Sequence, residues 1–170
     1  MGWDIHIRIE RFDNNRWVSV RYAAQPWHTR EEAETTHKNT CAKEGWTAHD
    51  AAVLAGAVSL PGVFDSRNYY WFNLLAGVGE DRGLPIIAAR RGLPDDTAYR
   101  VDAEDGEDWL GDLGLTWVSL EELEAYPWDN FFCKSLSARE MSSDWPGQVL
   151  PILRAISHGK PLRLVIGFDS

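Results

Sequence analysis

The chain opens on an alternation. In MGWDIHIRIE, Trp3, Ile5, Ile7 and Ile9 fall on one side of an extended backbone and Asp4, His6, Arg8 and Glu10 on the other. That period of two marks a strand with one face on a core. Asp13, Asn14 and Asn15 interrupt it with turn-forming side chains, and Val18, Val20 and Tyr22 resume it, so the segment predicts a β-hairpin. At the far end, KPLRLVIGFDS alternates Leu162, Leu164, Ile166 and Phe168 with Arg163, Val165 and Gly167, which predicts a second sheet strand.

Between these ends the pattern turns helical. Thr29 stands three residues before Glu32, a capping-box spacing, and the polar stretch that follows runs to Gly45, as an exposed helix would. Residues 48–64 are Ala-rich and compatible with a short buried helix closed by Pro61-Gly62. In DSRNYYWFNLLAGVG, Asp65 or Ser66 can cap, and apolar residues occupy most sides of the helical wheel, so a central buried helix is expected. GLPIIAARRGLPDDT holds at most one short strand between two Gly-Leu-Pro turns, and AEDGEDWLGDLG reads as an acidic loop. Thr116, Trp117 and Val118 predict a strand that runs into SLEELEAY, with Ser119 and Glu122 as a second capping box and Pro127 as the stop. WPGQVLPILRAISHG predicts an apolar helix that Pro151 either starts late or kinks. Together these elements predict one globular domain, residues 1–170. Its fold class is α/β of the α+β type: a mainly antiparallel sheet, containing the N-terminal hairpin and the C-terminal strand, packs its Trp3/Ile5/Ile7 side on helices.

Composition narrows the function classes. A chain of 170 residues, 44% apolar and 25% charged, can bury one substantial core. Lys and Arg number 17 against 26 Asp and Glu, and the net charge of −9 opposes general affinity for nucleic acid or anionic lipid while favouring a basic partner. Cys41 and Cys133 are too few for a disulfide framework, which places the expected site of action in a reducing cytoplasm. Asp4 and the lack of a basic run argue against a secretory leader, and His6 stands where a myristoylation signal wants Ser or Thr. The longest apolar stretch, 51–64, is too short to span a bilayer and is broken by Pro61 and Gly62.

Candidate chemistry is sparse. Asp4 and His6 project from one strand face, the geometry for two metal ligands or for a carboxylate orienting an imidazole, although Arg8 and Glu10 continue that face as a plain solvated surface would. His37 and Cys41 lie four residues apart and could share a metal with His28 or His49, but two ligands do not make a site and no recognised zinc spacing is present. No metal site or cofactor is therefore assigned, a divalent metal at Asp4 and His6 being left open. Asp102, Glu104, Asp105, Glu107, Asp108 and Asp112 form an acidic loop, a candidate surface for a basic protein. It is no EF-hand, since Val101 stands where the calcium pattern demands Asp. Arg67, Asn68, Tyr69, Arg90, Arg91 and Asp95 bring guanidinium, amide, aromatic and carboxylate groups near turns. Such groups can hold a small anionic or nucleotide-like ligand, or can pin the turns together through Arg67 and Asp95 or Asp96. The nucleophile elbow GxSxG, the phosphate loop GxxxxGK[ST] and the dinucleotide motif GxGxxG are all missing from the sequence.

Five blocks in order, GWDIH, RNYYWFNLLAGV, RGLPDDT, TWVSLEEL and LRLVIGFD, resemble a family of small uncharacterised proteins of tailed bacteriophages and prophages, often of actinobacteria. The blocks cover about a third of the chain, and residues 23–64 have no counterpart in them. The resemblance implies a common origin and fold and brings no activity with it. Many members carry His-Ser-His-Ser/Thr-Trp where this chain has Leu113-Gly114-Leu115-Thr116-Trp117, so any site that such an HxH pair builds with the DIH strand lacks both histidines here. The expectation is a non-enzymatic phage accessory protein acting in the host cytoplasm by binding, as an inhibitor of a host defence or regulatory component. Its partner would be a host protein or a sequestered nucleotide signal. The alternatives are a metal-dependent hydrolase or nuclease using Asp4 and His6, and a structural or virion-associated protein.

Overall fold

A computed structural model describes residues 4–20, 68–78, 85–98, 110–111, 113–133 and 135–169. The expected helices within 29–64, Trp3, Arg67 and the acidic residues Asp102 to Asp108 and Asp112 lie outside them. Strands β1 (Asp4–Asp13), β2 (Arg16–Val20), β3 (Leu113–Ser119) and β6 (Leu162–Asp169) form an antiparallel sheet in the order β2-β1-β6-β3. The N-terminal hairpin and the C-terminal strand thus supply three of its four members. Asn14 and Asn15 make the hairpin turn with φ of 48° and 60°, the left-handed pair that a two-residue connection needs. Among the described residues, no helix is long and apolar enough to cross a membrane.

Ile5, Ile7 and Ile9 from β1 and Leu164, Ile166 and Phe168 from β6 are buried on one face, as their alternation demands. Helix α1 (Tyr69–Ala76) lies against that face, with Phe72 edge-on to Phe168 at 5.3 Å. Its last six residues, Trp71 to Ala76, are all buried, which is why its wheel is apolar on most sides. The cap is Asn68 rather than Asp65 or Ser66. Its Oδ1 accepts from the N–H groups of Tyr70 and Trp71, and its side-chain amide donates to the Met141 carbonyl at 3.1 Å. Helix α2 (Leu120–Ala125) follows β3 without a loop, because Ser119 and Glu122 close a complete capping box at the junction.

Helix α4 (Trp145–Ser157) begins at Trp145 under an Asp144 cap, with Pro146 in its first turn. Pro151 therefore delays nothing. It sits inside the helix on an exposed position, where it withholds the N–H that the Gly147 carbonyl would otherwise accept. Arg11 donates to the Ile156 carbonyl at 2.7 Å and so ties β1 to the C-terminal turn of α4, where a cation also meets the negative end of the helix dipole. Trp145 stacks on Trp71 at 3.8 Å, joining α4 to α1 through the core. The sequence pattern did not predict a small second sheet, β4 (Phe131–Cys133) with β5 (Leu136–Ser137), or the one-turn helix α3 (Ala138–Met141).

Burial of β6 departs from simple alternation. Every residue from Leu162 to Phe168 is buried, including Arg163 and Val165 on the face that points away from the helices. Among the described residues, two segments lie over that second face. Leu110 and Gly111 cross β6 so closely that a Cβ on Gly167 would collide with the Leu110 carbonyl, and one on Gly111 with the Phe168 carbonyl. Residues 85–98 form a strap that starts on the helix side, passes the β3 edge and ends over Glu10. Ile87 donates to the Leu74 carbonyl, Tyr126 Oη to the Pro85 carbonyl, and Arg90 Nε to the Ala76 carbonyl.

Candidate functional site

The polar side of β1 is only partly a wet surface. Glu10 is 0% exposed, which corrects its reading as part of a solvated face. Its Oε1 accepts from Thr97 Oγ1 at 2.6 Å and from the Ala98 N–H at 2.7 Å, and its Oε2 accepts from Arg163 Nε at 2.7 Å. Arg163 is its cross-strand partner, 2% exposed, and donates through Nη1 to Asp96 at 2.9 Å. Its guanidinium also lies 3.9 Å from the Trp17 ring centroid. A buried carboxylate is tolerable only when donors meet its oxygens, and here both oxygens accept hydrogen bonds. The cluster fastens the strap to the sheet. Asp96, weighed above as a partner for Arg67, is committed to Arg163.

The set proposed for a small ligand is divided by α1. Asn68 caps the N-terminus of that helix and Tyr69 opens it, whereas Arg90 bonds its last residue, Ala76. Eight residues of helix, about 12 Å, separate the two ends. Arg91 is built into the sheet edge. Its Nε and Nη2 donate to the Trp117 carbonyl at 3.1 and 3.0 Å, Nη2 also bonds Glu122, and the guanidinium stacks 3.5 Å over the Trp117 ring. An outward carbonyl of edge strand β3 is thereby occupied, which blunts the edge against pairing. Burial pushes the Glu122 carboxyl up, but the bonds from Arg91 and the Ser119 N–H outweigh it and hold the group below its ordinary value. Asp95 is exposed on the strap.

Asp4 and His6 gain a neighbour that local sequence did not connect to them. Asp169 is the cross-strand partner of Asp4, and its Oδ2 lies 3.4 Å from His6 Nε2. Both His6 and Asp169 are about a quarter exposed. His6 itself pairs with Gly167, and Leu115 reaches over that glycine from the β3 side. Leu113 opposes Phe168 across a register shift in β3. The arrangement can hold an imidazole against a carboxylate at one end of the sheet. Among the described residues no group of three His, Cys, Asp or Glu side chains is arranged to hold a metal ion. The signal for Asp169 was available in principle, since it continues the 163, 165, 167 face of β6. Only the strand register, however, sets it opposite Asp4.

Among the described residues, the most exposed large apolar side chains are Phe131, 71% exposed, and Leu136, 46% exposed, both in the β4–β5 hairpin. Phe132, half-buried between them in sequence, turns the other way and packs on Tyr126 with ring centroids 6.2 Å apart. Tyr126 and Trp128 continue inward to Trp145 and Trp71. Burial pushes the Tyr126 hydroxyl up to about 12. Beside the hairpin, Arg139 bridges Asp129 and Asp144. Its side-chain hydrogen bond holds the Asp129 carboxyl below the usual range. The sequence signal was the FF pair itself: adjacent residues of a strand face opposite ways, so one of two neighbouring phenylalanines must turn from the core.

Searches against protein-family models, curated proteins and solved structures each find no match to this chain.

Proposed function

We propose that the chain is a phage accessory protein that acts by binding a host protein. The observation that carries this reading is the pair Phe131 and Leu136, large apolar groups held in solvent on one short hairpin. Exposed aromatic side chains on a firm base are the residue type on which protein contacts concentrate their energy. The net charge of −9 adds a preference for a basic surface, and the resemblance to phage and prophage proteins supports a host component as the target. The test is affinity capture from host lysate with the immobilised full chain, set against the Phe131→Asp/Leu136→Asp variant. A protein retained by the first and lost by the second supports the reading. Retention of nothing, or of the same set by both, contradicts it.

The meeting of His6 with Asp169 and Asp4 favours a second reading, a hydrolase or nuclease that draws on those three groups for acid–base work. Hydrolysis of a generic phosphodiester, with and without added divalent metal, should then fall at least a hundredfold in His6→Ala and Asp169→Asn. Equal rates in all three proteins would end it.

A further inference from the structure

Apart from the hairpin, we infer that Arg163 is the core of a carboxylate-binding site, which the strap residue Asp96 fills from within as a stand-in for an external carboxylate. The Arg163 side chain is 3% exposed. Trp17 and Trp117 lie 3.9 and 5.5 Å from its guanidinium and set its plane, and Nε is committed to Glu10 at 2.7 Å. The outer edge, Nη1 and Nη2, is a fork that matches the two oxygens of one carboxylate. Asp96 meets half of it. Its Oδ1 accepts from Nη1 at 2.9 Å, while Nη2 is buried and has no hydrogen-bond partner among the described residues. An unmatched buried donor is a standing cost of the closed arrangement. A carboxylate free to turn onto both nitrogens removes it.

Asp96 is placed to give way. Its side chain is 66% exposed, and an ion pair with so wet a partner contributes little. The backbone around it is held independently: Thr97 N–H closes a turn on the Pro94 carbonyl at 3.1 Å, and Thr97 Oγ1 and Ala98 N–H stay on Glu10 Oε1. Asp96 can therefore rotate into water without stranding the Glu10 charge. Charge then selects the ligand. A carboxylate brings the same single negative charge that Asp96 carries out into solvent, so the balance at Arg163 and Glu10 is preserved. A phosphate dianion would set a second negative charge beside the buried Glu10, and a neutral amide offers the fork one acceptor oxygen in place of two.

The test follows the side-chain N–H resonances of Arg163 in the isotope-labelled full chain at constant ionic strength. The probes are benzoate, for a free organic acid, and N-acetyl-aspartate N-methylamide, for an acidic side chain within a peptide, with benzamide and inorganic phosphate for comparison. A saturable shift with at least one of the two carboxylates is expected, the tighter of them naming the source. Its Kd should fall at least tenfold in Asp96→Ala, where the internal competitor is gone, and move in the same direction in Asp96→Asn, which keeps the side-chain shape. Benzamide and phosphate should leave the Arg163 signals in place. The inference is overturned if neither carboxylate shifts them in any of the three proteins, if Kd is the same with and without Asp96, or if phosphate or benzamide binds as tightly as the carboxylates.

Discussion

Glu10 and Arg163 show what an alternating pattern can and cannot tell. Four polar residues at positions 4, 6, 8 and 10 share a face, and the sequence shows that much. It does not show what covers the face, because the donors that enclose Glu10 come from Thr97 and Ala98, far along the chain. Arg163→Met leaves the Glu10 charge buried with its ion pair gone, and should cost about 3–5 kcal/mol in chemical denaturation. The double variant Glu10→Leu/Arg163→Met should recover much of that loss, since replacing both partners leaves no charge stranded. If the two variants were equally unstable, the pair would not be the clasp described. Tyr126 gives a pH signature at the same scale. Its hydroxyl is raised from about 10 to about 12, so the folded chain holds the proton more tightly than the unfolded one. The corresponding stability is present below pH ~10 and is lost as pH rises towards ~12. Tyr126→Phe should flatten that alkaline limb and cost about 1 kcal/mol at neutral pH through the lost bond to Pro85. Unchanged alkaline unfolding in the variant would contradict the assignment.

Elements were legible where their signals are local. The β3–α2 junction was readable because a capping box is a four-residue motif, and both of its bonds form, Glu122 N–H to Ser119 Oγ at 3.1 Å and Ser119 N–H to Glu122 at 2.8 Å. Ser119→Ala should lower stability by about 1 kcal/mol, read as a shift in denaturation midpoint at constant slope. A loss within error of zero would mean that the junction is held by packing alone. The α1 cap was misplaced because Asp65, Ser66 and Asn68 are all competent residues, and the choice of Asn68 depends on the Met141 carbonyl that its amide reaches. Strands β4 and β5, three and two residues long, offer too few positions for a period to show. The hairpin that carries the proposed contact was therefore invisible to pattern, although Phe131 and Phe132 stand side by side in the sequence.

At the scale of the molecule, a sheet with apolar residues on one face and a mixed set on the other is covered on both. Helices α1, α2 and α4 with their aromatic cluster cover the first, and the strap with its ion pairs reaches the second. Asn68, Arg90 and Arg91, which looked available for a ligand, are employed in holding these layers together. Asp4, His6 and Asp169 remain at one end of the sheet. The hairpin stands outside the layers, so Phe131→Ala should leave the unfolding free energy within about 0.5 kcal/mol of the parent while weakening the complex. A larger loss of stability would make Phe131 a packing residue and not a contact. Hydrogen–deuterium exchange of the full chain, free and bound to its captured partner, tests the central claim most directly. Binding through the hairpin predicts new protection confined to residues 129–139. Protection at Asp4–Arg8 and Asp169, or in the acidic segment 102–112, with the hairpin unchanged, would contradict it.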